Sequence, residues 1–199
     1  MSEQAPQRGR WKAPYNLDRL VEVAVRVFTE RGYDGTSLQH LTQASGLSRS
    51  SIYHHIESKE QLLRLGLERA LEPLLASTTD DGATSGRALD RLTYLIKRNV
   101  EILAAELPYV RLLLSVHGNT ETERWALDQR RTFDKFVAGV VQEAIDDGDV
   151  RADLDARTTA RLIFGTINSL AEWYRPARRR KPGELADQIC SMILRGIQA

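Results

Sequence analysis

The sequence predicts an all-α protein of nine helices, a compact head of four and a larger body of five. Two observations carry this reading. Apolar residues recur at steps of three and four almost throughout, which gathers them on one face of a helix, and no stretch shows the alternation of a half-buried strand. Ser, Thr, Asp and Asn stand where the periodicity begins, and Gly where it stops. Composition permits such a fold, since 42% of the 199 residues are hydrophobic and can build a real core.

In chain order, Leu17, Leu20, Val21, Ala24, Val27 and Phe28 define a first helix over 17–31, with Asn16 as its N-cap and Gly32 just past its end. Two short helices follow near 37–44 and 48–55, then a longer one from Ser58 to about residue 76. Pro73 lacks an N–H and is expected to kink or end that helix. Ser77 to Gly86 (STTDDGATSG) is small and polar and reads as a loop. The body helices fall near 87–106, 108–117, 121–147, 155–175 and 184–197. Gly148 closes the third of these, and Asp153 or Asp155 caps the fourth. Residues 1–16 form a flexible basic arm with Arg8, Arg10 and Lys12, 17–63 the head, and 64–199 the body.

Charge and cysteine content exclude several classes. The 28 Lys+Arg nearly balance 27 Asp+Glu, so any nucleic-acid contact comes from a local basic surface and not from bulk charge. The lone Cys190 excludes an intramolecular disulfide framework and a thiolate-rich zinc site, and reads as a small buried hydrophobe. No apolar run approaches about 18 residues, and Met1 to Lys12 carries no signal-peptide core, so the expected location is the cytoplasm, away from membranes. No phosphate-cradling glycine loop, zinc-spaced ligand set or nucleophile elbow points to an enzyme. His54, His55 and Glu57 invite a metal reading, but adjacent helical histidines point about 100° apart. The Asp146–Asp155 acidic patch lacks the spacing of a calcium loop and reads as a turn with caps.

Within the head, Ser37 to Ile56 read SLQHLTQASGLSRSSIYHHI. Thr36 and Gln39 fit a capping box, as do Ser58 and Gln61. Leu38, Leu41, Leu47, Ile52 and Ile56 face inward. Gly46 suits the left-handed turn between two short helices, and Ser48 caps the second. That second helix reads as a major-groove helix exposing Arg49, Ser50, Tyr53, His54 and His55. Ser48, Tyr53 and Lys59 are placed at phosphates, and Arg49 at a guanine edge, where a guanidinium bonds both O6 and N7; Thr36 and Ser37 join the DNA-binding set.

In the body, Phe133, Phe136, Val137, Val140, Val141 and Ala144 form an apolar stripe that extends back to Arg130 and Ala126. A charge on such a stripe needs an anionic partner, either an acid such as Glu106 or Glu123 or an acidic ligand. On the next helix, Leu162, Ile163, Thr166, Leu170 and Trp173 form one face. Arg161, Phe164, Gly165, Asn168 and Glu172 form another, which lines a pocket or a dimer seam.

The segment LVEVAVRVFTERGYDGTSLQHLTQASGLSRSSIYHHIESKEQLL resembles the DNA-binding head of the tetracycline-repressor (TetR) family, through F-x-x-x-G-Y, T-S, A-S-G-L-S, I-Y-H-H and S-K-E-x-L-L in order. Thr42 and Ile56 replace the family's usual alanine and phenylalanine at positions taken as core-facing. The resemblance implies a homodimer that binds a palindromic double-stranded operator and releases it when a small-molecule effector enters the body, with no cofactor. HGNTETERWALDQRRTFDKF and RLIFGTINSLAEWYRP further resemble actinobacterial repressors of phenylacetic acid degradation, which implies phenylacetyl-CoA as effector. A related branch with a similar W-Y-R-P ending answers other acyl-CoA esters, including ring fragments of sterols. On this reading Phe133, Phe164 and Trp173 wall the acyl site. Arg111, Arg130, Arg131 and Arg161 meet the phosphates, and His117, Asn119 and Asn168 complete the set. After W-Y-R-P this chain has ARRRKPG where relatives have a Gly-rich turn, and the run Arg178, Arg179, Arg180 and Lys181 reads as a solvated loop.

Overall fold

The structure, a computed structural model, describes residues 16–176 and 181–199. The basic arm with Arg8, Arg10 and Lys12, and Arg178, Arg179 and Arg180 of the basic run, lie outside the described residues. The described residues form eleven helical segments: α1 (Leu17–Arg31), α2 (Leu38–Ser45), α3 (Arg49–His55), α4 (Lys59–Ala76), α5 (Asp81–Thr84), α6 (Ala88–Ala105), α7 (Leu107–Ser115), α8 (Glu121–Asp146), α9 (Ala156–Asn168), α10 (Leu170–Trp173) and α11 (Pro182–Ile197). The all-α expectation holds. The two extra segments have local causes. In the expected loop, the Asp80 carbonyl accepts from the Ala83 and Thr84 N–H groups, and fully buried Ala83 anchors the turn α5. The expected helix 155–175 breaks at Ser169. There the Thr166 and Ser169 hydroxyls donate back to the Leu162 and Thr166 carbonyls, bonds that bend a helix.

Several helix ends match expectation. Asn16 Oδ1 accepts from Arg19 N–H at 3.0 Å, Ser48 Oγ from Ser51 N–H at 3.1 Å, and Asp155 Oδ1 from Thr158 N–H at 2.8 Å. Asp153 instead pairs with Arg151. Gly32 (φ 75°) and Gly46 (φ 71°) take the positive φ that a side chain disfavours. Two expectations are corrected. The capping box of α2 is built from Ser37 and His40, since buried Thr36 spends its hydroxyl on the Gly32 carbonyl. Gln61 Oε1 accepts from Glu57 N–H instead of from Ser58, so the second box is half formed. The helix α4 runs through Pro73 and ends at Ala76, as the periodicity predicts, where Ser77 Oγ donates to the Leu74 carbonyl.

A single core runs from head to body, because α4 packs on α1, α6, α7 and α8. Its closest approach is at Gly66, where a Cβ would lie 2.7 Å from Val25 Cγ2 and 3.0 Å from Leu112 Cδ2. Both neighbours are buried and have no room to yield. Gly66→Ala is therefore expected to destabilise the fold by about 1–3 kcal/mol, read from urea unfolding.

Candidate DNA-reading helix and effector cavity

The α2–turn–α3 unit is held from inside by Leu41, Ile52 and Ile56, which leaves one face of α3 open. Arg49, Ser50, Tyr53 and His54 are exposed there with the cap Ser48, and Ser37 is exposed at the start of α2. His55 is half-buried beside His54. The Arg49 guanidinium lies 5.8 Å from the Tyr53 ring centroid. These side chains can reach a groove together, Arg49 with a bidentate donor fork and the hydroxyls as phosphate donors.

Two residues expected at the DNA are placed otherwise. Thr36 is 2% exposed, so its hydroxyl is out of reach. Lys59 Nζ donates to the Tyr33 carbonyl at 2.8 Å and the Thr36 carbonyl at 2.7 Å, and lies 4.0 Å over the Tyr33 ring. It clamps the α1–α2 turn with two of its three protons. Burial pulls the Lys59 pKa down while Asp34 opposes this. Burial also pushes the Tyr33 phenol up to about 12, with the Glu60, Asp34 and Glu123 carboxylates adding to it. Thr42, expected to face the core, is half-buried with its hydroxyl on the Gln39 carbonyl.

In the body, α4, α6, α7, α8 and α9 enclose a cavity of about 50 Å3. Phe133 and Phe164 form its aromatic wall, edge to face with centroids 5.1 Å apart. Arg130, Asn168 and Asn99 line it too, as expected for the first two and missed for the third. Neither acid expected to partner Arg130 does so. Glu106 accepts from Arg69, and Glu123 from the loop amides of His117, Gly118 and Asn119. Arg130 Nη1 donates instead to the Leu113 carbonyl at 3.5 Å, one turn from Asp134.

Asp134 is shared with an open groove of about 540 Å3 between α8 and α9 that also carries Arg131, Lys135, Arg157 and Arg161. Arg131 and Arg161 thus face the groove, with Arg131 Nη1 paired to Asp128 Oδ1 at 2.6 Å. Desolvation raises the Asp134 pKa, and Arg130 and Arg161 counter it in part. A raised carboxyl contributes stability at low pH that is lost as pH rises through its folded value. Asp134→Asn is therefore expected to stabilise the protein at pH 7, and to flatten its urea midpoint between acid and neutral pH.

The other expected ligand residues lie elsewhere. Arg111 Nε donates to the Ala171 carbonyl at 2.6 Å and caps α10, with burial and Arg175 lowering its pKa. Exposed His117 gives its backbone N–H to Glu123. Asn119 Nδ2 bridges to Asp34 Oδ2 of the head at 3.0 Å. Trp173 is 53% exposed, with Leu162 (67%) and Met192 (60%) also bare on the C-terminal helices. The two faces expected for α9 are therefore redrawn. Phe164 turns inward with Ile163, while Leu162, Arg161 and Gly165 turn out. Cys190 is buried, as a small hydrophobe would be, and burial pushes its thiol pKa up. No helix among the described residues is long and apolar enough to cross a membrane.

The head matches the family model for bacterial regulatory proteins of the tetR family over residues 20–65, and the body matches the tetracyclin repressor-like C-terminal domain over 85–197. The chain belongs to the TetR family. It is thus a DNA-binding, ligand-responsive transcriptional repressor and not an enzyme. A solved TetR-family regulator from Streptomyces coelicolor A3 is 49% identical, with a TM-score of 0.86 over 95% of this chain and 94% of that one. The transcriptional repressor KstR2 of Rhodococcus jostii is 27% identical over 181 residues, 89% of each chain. AibR, solved in complex with isovaleryl coenzyme A and operator DNA, shares the fold at 24% identity and a TM-score of 0.72, over 88% of this chain and 96% of that one.

Proposed function

We propose that this TetR-family chain is a homodimeric repressor of phenylacetate catabolism genes, bound to a palindromic operator through two copies of α3 and released by phenylacetyl-CoA. The observation that carries the reading is the pairing of an aromatic cavity with a groove of four cations, Arg131, Lys135, Arg157 and Arg161, that shares a wall with it. A coenzyme A thioester has the same two parts, an apolar acyl group and a chain of phosphates. Exposed Leu162, Trp173 and Met192 supply the dimer face, because a second copy is the simplest cover for large bare side chains on the last three helices.

The switch is a population shift. An effector that favours the released spacing of the two heads by about 2.7 kcal/mol weakens operator binding roughly a hundredfold. Two connections carry the shift to the head: α4, which packs on both parts, and the Asn119–Asp34 bond. The test is fluorescence anisotropy on DNA from upstream of the chain's own gene, titrated with phenylacetyl-CoA and separately with phenylacetate. Release by the thioester alone supports the reading. Tight operator binding without release by either compound removes this effector.

The size of the cavity favours a second reading. An aromatic ring needs roughly 150 Å3, whereas about 50 Å3 is open, so phenylacetyl-CoA requires the helices to part. A shorter branched acyl-CoA, of the kind AibR holds, requires less opening. Isovaleryl-CoA therefore belongs in the same titration.

A further inference from the structure

We propose that Asn99 is the residue through which the cavity recognises its effector, its side-chain amide donating to the carbonyl oxygen of the bound acyl group. The assignment rests on the acyl-thioester reading above. Asn99 stands on α6 in a face otherwise made of Leu92, Leu95, Ile96, Val100 and Leu103, where an apolar side chain would pack without penalty. It is only 6% exposed, and its Nδ2 has no hydrogen-bond partner. A buried amide left unbonded is costly, and cores seldom keep one without a use.

The cavity gives it a use. Asn99 lines the same space as Phe133 and Phe164, which puts its unbonded amide on the wall of the volume an acyl group would take. Of the other two donors that line the cavity, Arg130 is turned onto the Leu113 carbonyl and Asn168 is only half-buried. A neutral amide donor among apolar walls suits a neutral carbonyl oxygen flanked by hydrocarbon, which is the chemistry of a thioester. It suits the charged carboxylate of the free acid poorly, since Asp134 stands on the same wall and the Arg130 guanidinium is turned onto the Leu113 carbonyl.

The experiment is calorimetric titration of the full-length wild type and Asn99→Leu with two ligand pairs. Each pair is an acyl-CoA and the thioether in which the carbonyl is replaced by a methylene: phenylacetyl-CoA with S-(2-phenylethyl)-CoA, and isovaleryl-CoA with its S-isopentyl analogue. The wild type is expected to prefer a thioester over its thioether by about tenfold or more. Asn99→Leu is expected to bind both members of the pair alike, while keeping operator affinity and showing ligand-free thermal stability equal to or above that of the wild type. Equal affinity of the wild type for both members, or persistence of the preference in Asn99→Leu, overturns the role of Asn99 and leaves the acyl-CoA reading intact. Failure of the wild type to bind any of the four overturns the acyl-CoA reading and this assignment with it. If Asn99→Leu does not fold, Asn99→Ala takes its place with the same readout, and a wild type without the preference overturns the role with no variant needed.

Discussion

Leu162→Glu is expected to yield a folded monomer that binds the operator at least about a thousandfold more weakly than wild type. Leu162 is 67% exposed on α9 of the single chain, and covering it with a partner surface is favourable. In a two-fold dimer each substitution acts twice, once from each protomer. Burying a leucine contributes about 1.5–3 kcal/mol, and both contributions are lost. Each buried carboxylate would also stand unpaired, which costs more than the leucine gained. A monomer reads one half-site, and the remaining affinity falls toward the non-specific range, roughly three or more decades below specific binding. Sedimentation gives the oligomeric state, helical circular dichroism shows that the fold persists, and anisotropy gives the affinity. A dimer with unchanged operator affinity would place the seam elsewhere.

Glu123→Ala is expected to lower stability by about 3 kcal/mol and to loosen the joint between head and body. Glu123 is 4% exposed, and its Oε2 accepts from the backbone N–H groups of Gly118 and Asn119 at 2.8 and 2.7 Å and of His117 at 3.3 Å. One carboxylate thus shapes the α7–α8 loop, in which Gly118 takes φ 91°. Alanine leaves three donors without an acceptor. The same loop presents Asn119 to Asp34, and Thr122 N–H to Glu60 Oε1 at 3.3 Å, so its collapse also frees the head. Urea unfolding is expected to show the loss as a lower midpoint at unchanged slope. Glu123→Gln keeps an acceptor oxygen and is expected to lose only about 1 kcal/mol. Equal losses in the two variants would show that charge, and not the lost acceptor, is what matters.

The cation groove was half legible. Arg131 and Lys135 are four residues apart, as are Arg157 and Arg161, so each pair lies on one helical face by spacing alone. Their meeting required α8 and α9 to lie side by side, and periodicity does not report which helices are neighbours. Glu123 carried a readable signal, an acid three residues before Ala126 on the face that continues to Arg130 and Phe133. Its partners were misjudged because backbone amides of a loop have no signature in residue identity. The Thr36 capping box failed by a single residue. Thr36 and Ser37 are both good caps, and only the Gly32 carbonyl within reach of Thr36 decides between them.

By itself the sequence determined the longer helices, the caps Asn16, Ser48, Ser58 and Asp155, the left-handed turn at Gly46 and the outward face of α3. These depend on residues three or four apart, whose relative positions a helix dictates before any tertiary contact forms. Only the tertiary structure decided what the polar side chains do. Lys59 finds its acceptors 26 and 23 residues back along the chain, Arg111 caps a helix 60 residues on, and Asn119 meets Asp34 across 85 residues. The cavity around Asn99 draws its walls from five helices. Such partners are brought together by packing of the core, and local spacing holds no record of them.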